Sequence, residues 1–342
     1  MRRATGAVLL ALALVAGCSP ATGPGPAAAP GCATVAEDAD GAQAALDAVP
    51  PGGVVCLRGD GIAGADLRIG RSGAPGAPVV LDGGGAAVRS VTVAADHVVV
   101  RGVRTVAGGA GIDLTGTDLA VLDSHLDGPE LDGVSCVGCT DAVIRGTTVD
   151  GADGSGVLVE GTRIQVLDNT VRGSVRRRAT DADGIRFFGT ALTLSRNEIS
   201  DIGHGGYTDA PPHTDCFQTF DNSRPPTRDV TISDNVCRDV ADQCLIATAE
   251  VSGAEGDVGR SRDIRFVGNR CDVGAAQAVL VRWVPGVVIT GNVLDGPGLD
   301  RGAYLGDGST GARFTGNTTP PGVRPVQADA SSQAGLVSDR PE

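Results

Sequence analysis

Apolar and polar residues alternate in short bursts down most of this chain, and the bursts share one phrase. Two apolar residues flank a third, two more residues follow, and asparagine closes the unit. Its copies are Ile164–Asn169, Leu192–Asn197, Val230–Asn235, Ile264–Asn269, Val287–Asn292 and Ala312–Asn317, with asparagines 28, 38, 34, 23 and 25 residues apart. A period of 2 within each phrase marks strands rather than helices. A loose longer period marks stacked units, none able to bury its own apolar face alone. Asparagine suits a tight bend because it tolerates left-handed backbone, and its amide can hydrogen-bond to its copy in the next unit to form a ladder. Before the first unit, Ala33–Val49 reads as an amphipathic helix and Pro51–Cys56 as the first strand after a turn.

A second phrase lies between the asparagine phrases: Asp-Gly or a variant, then two apolar residues around a third. Its copies are Asp132–Cys136, Ser155–Val159, Asp183–Phe187, Asp215–Thr219, Gln243–Ala247 and Gln277–Val281. Short strands repeating in one direction can pair only unit to unit in parallel, which makes a parallel β-helix rising about 4.8 Å per rung. If the apolar partners point inward, the residue between them points outward. One outward column is then Ser135, Leu158, Arg186, Gln218, Ile246 and Leu280, and a second is Glu160, Phe188, Phe220, Thr248 and Arg282. Asp132, Ser155, Asp183, Asp215, Gln243 and Gln277 stand just before the strands. Long insertions, Asp201–Pro212 with Gly203-His204-Gly and Tyr207, and Ala249–Arg262, flank the most polar rungs. Such loops on a rigid scaffold are where binding sites form.

The whole pattern resembles the right-handed β-helix repeat proteins of the pectate-lyase-like superfamily over about residues 35–320. That resemblance implies an all-β fold, a right-handed parallel β-helix (solenoid) with a short N-terminal capping helix. It leaves activity open, since the superfamily holds lyases, hydrolases, epimerases and adhesins. Gly203-His204-Gly is similar to a short motif of β-helix polygalacturonases, without that family's aspartate order. The His213-Thr-Asp215 set is similar to β-helix alginate lyases and C5-epimerases, without their Asp-Pro-His order and catalytic lysine.

The first residues change the expected address. Met1-Arg2-Arg3 and the apolar run 7–16 form a secretory signal. Val15-Ala16-Gly17-Cys18 resembles a bacterial lipobox, which implies lipidation of Cys18 and anchorage to the outer face of the bacterial cell membrane. The expected organisation is signal peptide 1–17, Pro/Ala/Gly-rich tether 18–31, β-helix 32–319 and flexible tail 320–342. A net charge of −13 argues against nucleic acid as a partner, and the chain reads as a monomer. Eight cysteines besides Cys18 suit an oxidising compartment. Cys32 and Cys56 flank the helix candidate and could tie it to the first strand, and Cys136 with Cys139 forms a local staple. Cys216 and Cys244 hold equivalent places in successive rungs, as do Cys237 and Cys271. These could be rung-to-rung bridges or stacked free thiols.

The chemistry concentrates in His213-Thr-Asp215-Cys-Phe-Gln218-Thr-Phe220. Asp183 lies one rung from Asp215, and two such carboxylates either raise one pKa or hold a cation such as calcium. A protonated aspartate could act as acid and neutral His213 as base. Arg186 and Arg282 could hold a sugar carboxylate. Gln218 and Gln243 offer amides, and Phe188, Phe220, Tyr207 and Trp283 offer faces to sugar rings. His204 fits a lid, whereas His97 and His125 fall in ordinary rung positions. Polysaccharide is therefore the expected partner. The favoured activity is a lyase cleaving a uronic-acid glycan by β-elimination, with catalytic His213, Asp215, Asp183 and Arg186. The alternatives are a hydrolase using the Asp pair, a non-catalytic glycan binder and a structural envelope protein.

Overall fold

The computed structural model describes residues 31–175, 181–205 and 213–339. The signal peptide, nearly all of the tether, Cys18 and Tyr207 lie outside the described residues. Among the described residues no helix is long and apolar enough to cross a membrane.

Every pairing between the strands is parallel, in one sheet of 20 strands and one of 9. The second phrase stacks in strict register: Val134 on Val157, Val157 on Ile185, Ile185 on Phe217, Phe217 on Leu245 and Leu245 on Val279. The flanking apolar residues of the asparagine phrase, from Ile164 and Val166 to Ala312 and Phe314, are all buried. Each fully buried Val, Leu or Ile side chain contributes about 1.5–3 kcal/mol. A long cylinder one side chain deep on each side thus supplies its core rung by rung.

The asparagines form a continuous buried ladder. Asn169 donates from Nδ2 to Oδ1 of Asn197 at 3.0 Å, and the same bond runs from Asn197 to Asn235, Asn269, Asn292 and Asn317. Each acceptor Oδ1 also takes the backbone N–H of the asparagine below it. The expected left-handed bend is shifted by one residue. Asp168, Arg196, Asp234, Gly268, Gly291 and Gly316, each just before its asparagine, have φ between 55° and 70°. The preceding residue makes the corner, and the asparagine is turned inward to satisfy it.

Three further expectations change. Thr34–Asp38 is a strand paired with Val54–Gly61, and the helix α1 is only Ala39–Ala48. Asp38 caps α1 by accepting the Gly41 N–H at 2.7 Å, while Ala42 and Leu46 seal the end of the core. The tail is not wholly irregular. Arg324–Ala328 pairs with Arg301–Gly306 and Val337–Ser338 with Arg313–Thr315, so another rung forms without the asparagine phrase. Cys32–Cys56 and Cys136–Cys139 are bridged as expected. The other four pair as Cys216–Cys237 and Cys244–Cys271, across the interior rather than from rung to rung. Cys237 does stack on Cys271. Both columns point into a core narrow enough that the nearer partner lies on the opposite wall.

Candidate functional site

In the rungs from Gly111 to Ser195, single strands such as Val157–Leu167 and Ile185–Ser195 run unbroken around one corner of the solenoid. The next rung splits: Ile185–Ser195 pairs with both Phe217–Thr219 and Arg228–Ser233, and residues 220–227 loop out between them. One rung later, between Leu245–Thr248 and Arg262–Val267, the same corner carries an insertion holding the short helix α2, Glu250–Glu255. Asp221 joins the two insertions. Its carboxylate accepts the backbone N–H groups of Val251 and Ser252 at 3.0 and 2.7 Å, and the Ser252 hydroxyl at 2.5 Å.

These insertions wall an open cleft of about 280 Å³ lined by Asp181, His213, Gln218, Phe220, Asp221, Asn222, Ile246, Thr248 and Glu250. Gln218 and Ile246 belong to the outward column, stacked in the order Ser135, Leu158, Arg186, Gln218, Ile246, Leu280. His213 is exposed at the rim, and its carbonyl accepts the Ala182 N–H at 3.1 Å. Among the described residues no hydrogen bond joins His213 to Asp215: the histidine is exposed, whereas Asp215 is buried. A larger hollow of about 460 Å³ lies at the ends of His125–Asp127 and Thr148–Asp150. Its Asp150 is engaged by Arg172 at 2.8 Å and His125 at 3.5 Å, and its Asp127 by Arg104 at 3.9 Å. The smaller cleft has the denser chemistry.

Asp183 and Asp215 sit behind the cleft, fully buried. Asp183 accepts the Asp215 N–H through Oδ1 at 3.0 Å, and Asp215 accepts the Gln243 N–H through Oδ1 at 2.8 Å. Each thus satisfies the backbone of the next rung, as Asp132 does for Ser155 at 2.7 Å. The remaining oxygen of Asp183 takes Nη2 and Nε of Arg186 at 2.6 and 3.1 Å, and Asp181 approaches the same guanidinium at 3.2 Å. Burial pushes Asp183 up to about 6 against the pull of Arg186. Burial, reinforced by the charge of Asp183, pushes Asp215 well above the ordinary carboxylate range. Burial also opposes the charge of Arg186, but Asp183, Asp181 and Asp132 together more than offset it.

This arrangement does not fit calcium between Asp183 and Asp215. Calcium needs six to eight oxygen ligands. Three of the four carboxylate oxygens are already taken by backbone N–H groups or Arg186, whose positive charge occupies the place expected for the cation. Arg186, 9% exposed, is likewise not free to hold a substrate carboxylate.

The second outward column is also partly covered. Phe188 is buried, packed edge-on against Phe220 at 4.9 Å and beneath Arg224 at 5.0 Å, so it offers no face to a sugar. Arg224 is held by Glu160 at 2.8 Å. Arg282 is bonded to Asp307 at 2.6 Å, lies 3.8 Å from Glu250 and stacks on Trp283 at 4.3 Å. Gln243 lends the site its backbone. His204 stands 3.3 Å from Asp242, which accepts the Thr214 N–H and hydroxyl at 3.1 and 2.9 Å, so it braces the strand rather than lining the cleft. Sequence reasoning missed Asp181, Asp221, Asn222 and Glu250. Asp221, Asn222 and Glu250 occupy insertions, where rung alignment assigns no face. The lengthening between Thr219 and Arg228 was the available signal.

A family model for the right-handed β-helix region matches residues 110–319, more than half of the chain. The chain belongs to the right-handed β-helix family. Among solved structures, this β-helix protein is similar to an alginate lyase from Paenibacillus sp. str. FPU-7, with 17% identity, a TM-score of 0.56, and coverage of 87% of this chain and 99% of that one. It is also similar to the tailspike protein of E. coli bacteriophage HK620. One tailspike mutant gives 11% identity and a TM-score of 0.53, covering 87% of this chain but 62% of the tailspike. Another, in complex with a pentasaccharide, gives 12% identity and a TM-score of 0.50, covering 92% and 65%. At these identities the likeness is one of fold. No curated protein matches the sequence.

Proposed function

We propose that this β-helix protein is a polysaccharide-cleaving enzyme whose glycan lies along the outward column and is cut in the cleft between the two insertions. One observation carries the reading: carboxylates on separate elements, Asp181 and Glu250, line one open cleft with a histidine, an amide and an aromatic ring. Hydrolysis follows from that set better than β-elimination. One carboxyl group serves as general acid toward the glycosidic oxygen, and the other draws a proton from water or stabilises positive charge at the anomeric carbon. His213 binds sugar hydroxyls at the rim, and Phe220 stacks on a ring. β-Elimination would need a positive group to neutralise a uronate. The nearby described guanidiniums, Arg186, Arg224 and Arg282, are each bonded to carboxylates. Lipid on Cys18 would hold the enzyme at the outer membrane face, within reach of envelope or environmental glycans.

The test is incubation of the lipid-free protein with a panel of neutral, amino and uronic-acid polysaccharides, following reducing ends and unsaturated-product absorbance. New reducing ends without unsaturated product are expected, with Asp181→Asn and Glu250→Gln each lowering the rate about a hundredfold or more. Unsaturated product would replace this mechanism by elimination with His213 as base. No product from any polysaccharide would remove the enzymatic reading.

A further inference from the structure

The two rungs beneath the cleft repeat one geometry and then break it. Asp183 and Arg186 stand three residues apart and bond to each other. Gln218 stacks on Arg186 in register, and Asp215 follows Asp183 through its N–H bond to that carboxylate. The upper pair is therefore built like the lower one, with an amide where the guanidinium was. Both upper side chains are left with an oxygen that meets no partner. Oδ2 of Asp215 and Oε1 of Gln218 are buried and, among the described residues, without a hydrogen-bond partner. A buried oxygen without a partner has lost its water and gained nothing in return, which destabilises the fold. The lower rung shows what would relieve that cost, namely a cationic N–H donor.

Gln218, 5% exposed, lines the cleft, so its buried, unmet acceptor lies in the cleft wall. The charges around it have one sign. Asp181, Asp221 and Glu250 line the same space, where His213 is the one basic residue among the described lining. Asp221 is committed to α2, whereas Glu250 is exposed on the first turn of that helix with Arg282 no closer than 3.8 Å. Carboxylates, an unmet amide oxygen and an aromatic ring are what a protonated amine on a sugar would use. The ammonium donates three N–H bonds, and the ring face packs on Phe220.

Building on the reading of the cleft as a glycan site, we infer that it selects sugars carrying a free amino group, a glycan of non-acetylated hexosamine units, rather than uronic acids. The ammonium takes the position that the guanidinium of Arg186 holds one rung below. Once its side chain turns toward the cleft, Gln218 Oε1 accepts one N–H, and Asp181 and Glu250 supply the countercharge.

Calorimetric titration of the lipid-free protein with four oligosaccharides of equal length tests this: glucosamine, N-acetylglucosamine, glucose and guluronate oligomers. Spermine serves as the control for plain charge attraction. The glucosamine oligomer is expected to bind about tenfold or more tightly than the others, as one charge-assisted hydrogen bond implies. Gln218→Arg gives Asp215 the guanidinium that Asp183 already has. It should unfold at the same or higher temperature and lose that preference. Gln218→Leu, should the arginine not fold, must also lose it. Glu37→Gln, an exposed carboxylate elsewhere, should leave binding unchanged. Equal binding of glucose or N-acetylglucosamine oligomers, preference for guluronate, spermine matching the sugar, or an unaltered preference in both Gln218 variants would each overturn the inference while the glycan reading stands. Binding of none of the oligosaccharides would overturn both.

Discussion

Asp183 and Arg186 are held together at 2.6 Å inside the solenoid wall, with the carboxylate side chain fully shielded from water and the arginine side chain 10% exposed. The pair stabilises by joint presence, since removing one member strands the other as a buried charge. Arg186→Ala is expected to cost about 3–5 kcal/mol. Urea unfolding followed by circular dichroism would show it as a lower midpoint with an unchanged slope. A midpoint within experimental error of the wild type would mean that Asp183 is already neutral without its partner.

The acidity of the next carboxylate sets a pH dependence. Burial raises the folded pKa of Asp215 and takes Asp183 to about 6, whereas an unfolded aspartate titrates near 3.9. The folded state therefore holds these protons more tightly. Their contribution is fully present below about pH 4 and is lost as pH rises through the folded values. Asp215→Asn carries no such proton, so its stability should gain on that of the wild type steadily from about pH 4 through 6 and beyond. Parallel denaturation curves for the two proteins at each pH would decide against the raised pKa.

The asparagine ladder should be strongest in its middle. Asn235 accepts from the backbone N–H and amide of Asn197, and donates to Leu194 O and Asn269 Oδ1. Asn317 accepts from Asn292 and donates to Ile289 O, with no onward asparagine. Asn235→Ala leaves more buried groups unmet and should destabilise by about 2–4 kcal/mol, and Asn317→Ala by less. Hydrogen exchange at the Asn197 amide reads the same bond directly. Slow exchange retained in Asn235→Ala would show that the ladder is not what protects it.

Disulfide mapping by digestion and mass spectrometry should recover Cys216 with Cys237 and Cys244 with Cys271. Replacing both cysteines of the latter pair with serine opens a loop of sequence separation 27 and should cost about 3–4 kcal/mol in the chain-entropy view. Peptides linking Cys216 to Cys244 would restore the rung-to-rung pairing.

The repeat made the solenoid legible because one residue type at one place per rung satisfies the same backbone groups each time. Register also assigned the outward column correctly, from Ser135 to Leu280. It could not tell outward from accessible. Arg186 and Phe188 point away from the core yet are covered, one by Asp183 and Asp181 and the other by Phe220 and Arg224. Cys216 failed for a related reason. Equivalence along the axis says that two thiols are stacked, while the width of the core decides which one is nearer. Asp221 and Glu250 were out of reach because insertions keep no register, and insertions are what build the cleft.

The ladder of buried asparagines gives this molecule a pitch without fixing its length. A rung between Asn269 and Asn292 offers its neighbours the same donors and acceptors as the rung between Asn292 and Asn317. Duplicating the repeat that ends at Asn317 would slide the distal end along the axis while the bonds among Asp183, Arg186, Asp215 and Gln243 stayed as they are. Reach and chemistry are thus separate variables in this chain, and selection can alter how far the protein extends along a polymer without retuning where it acts.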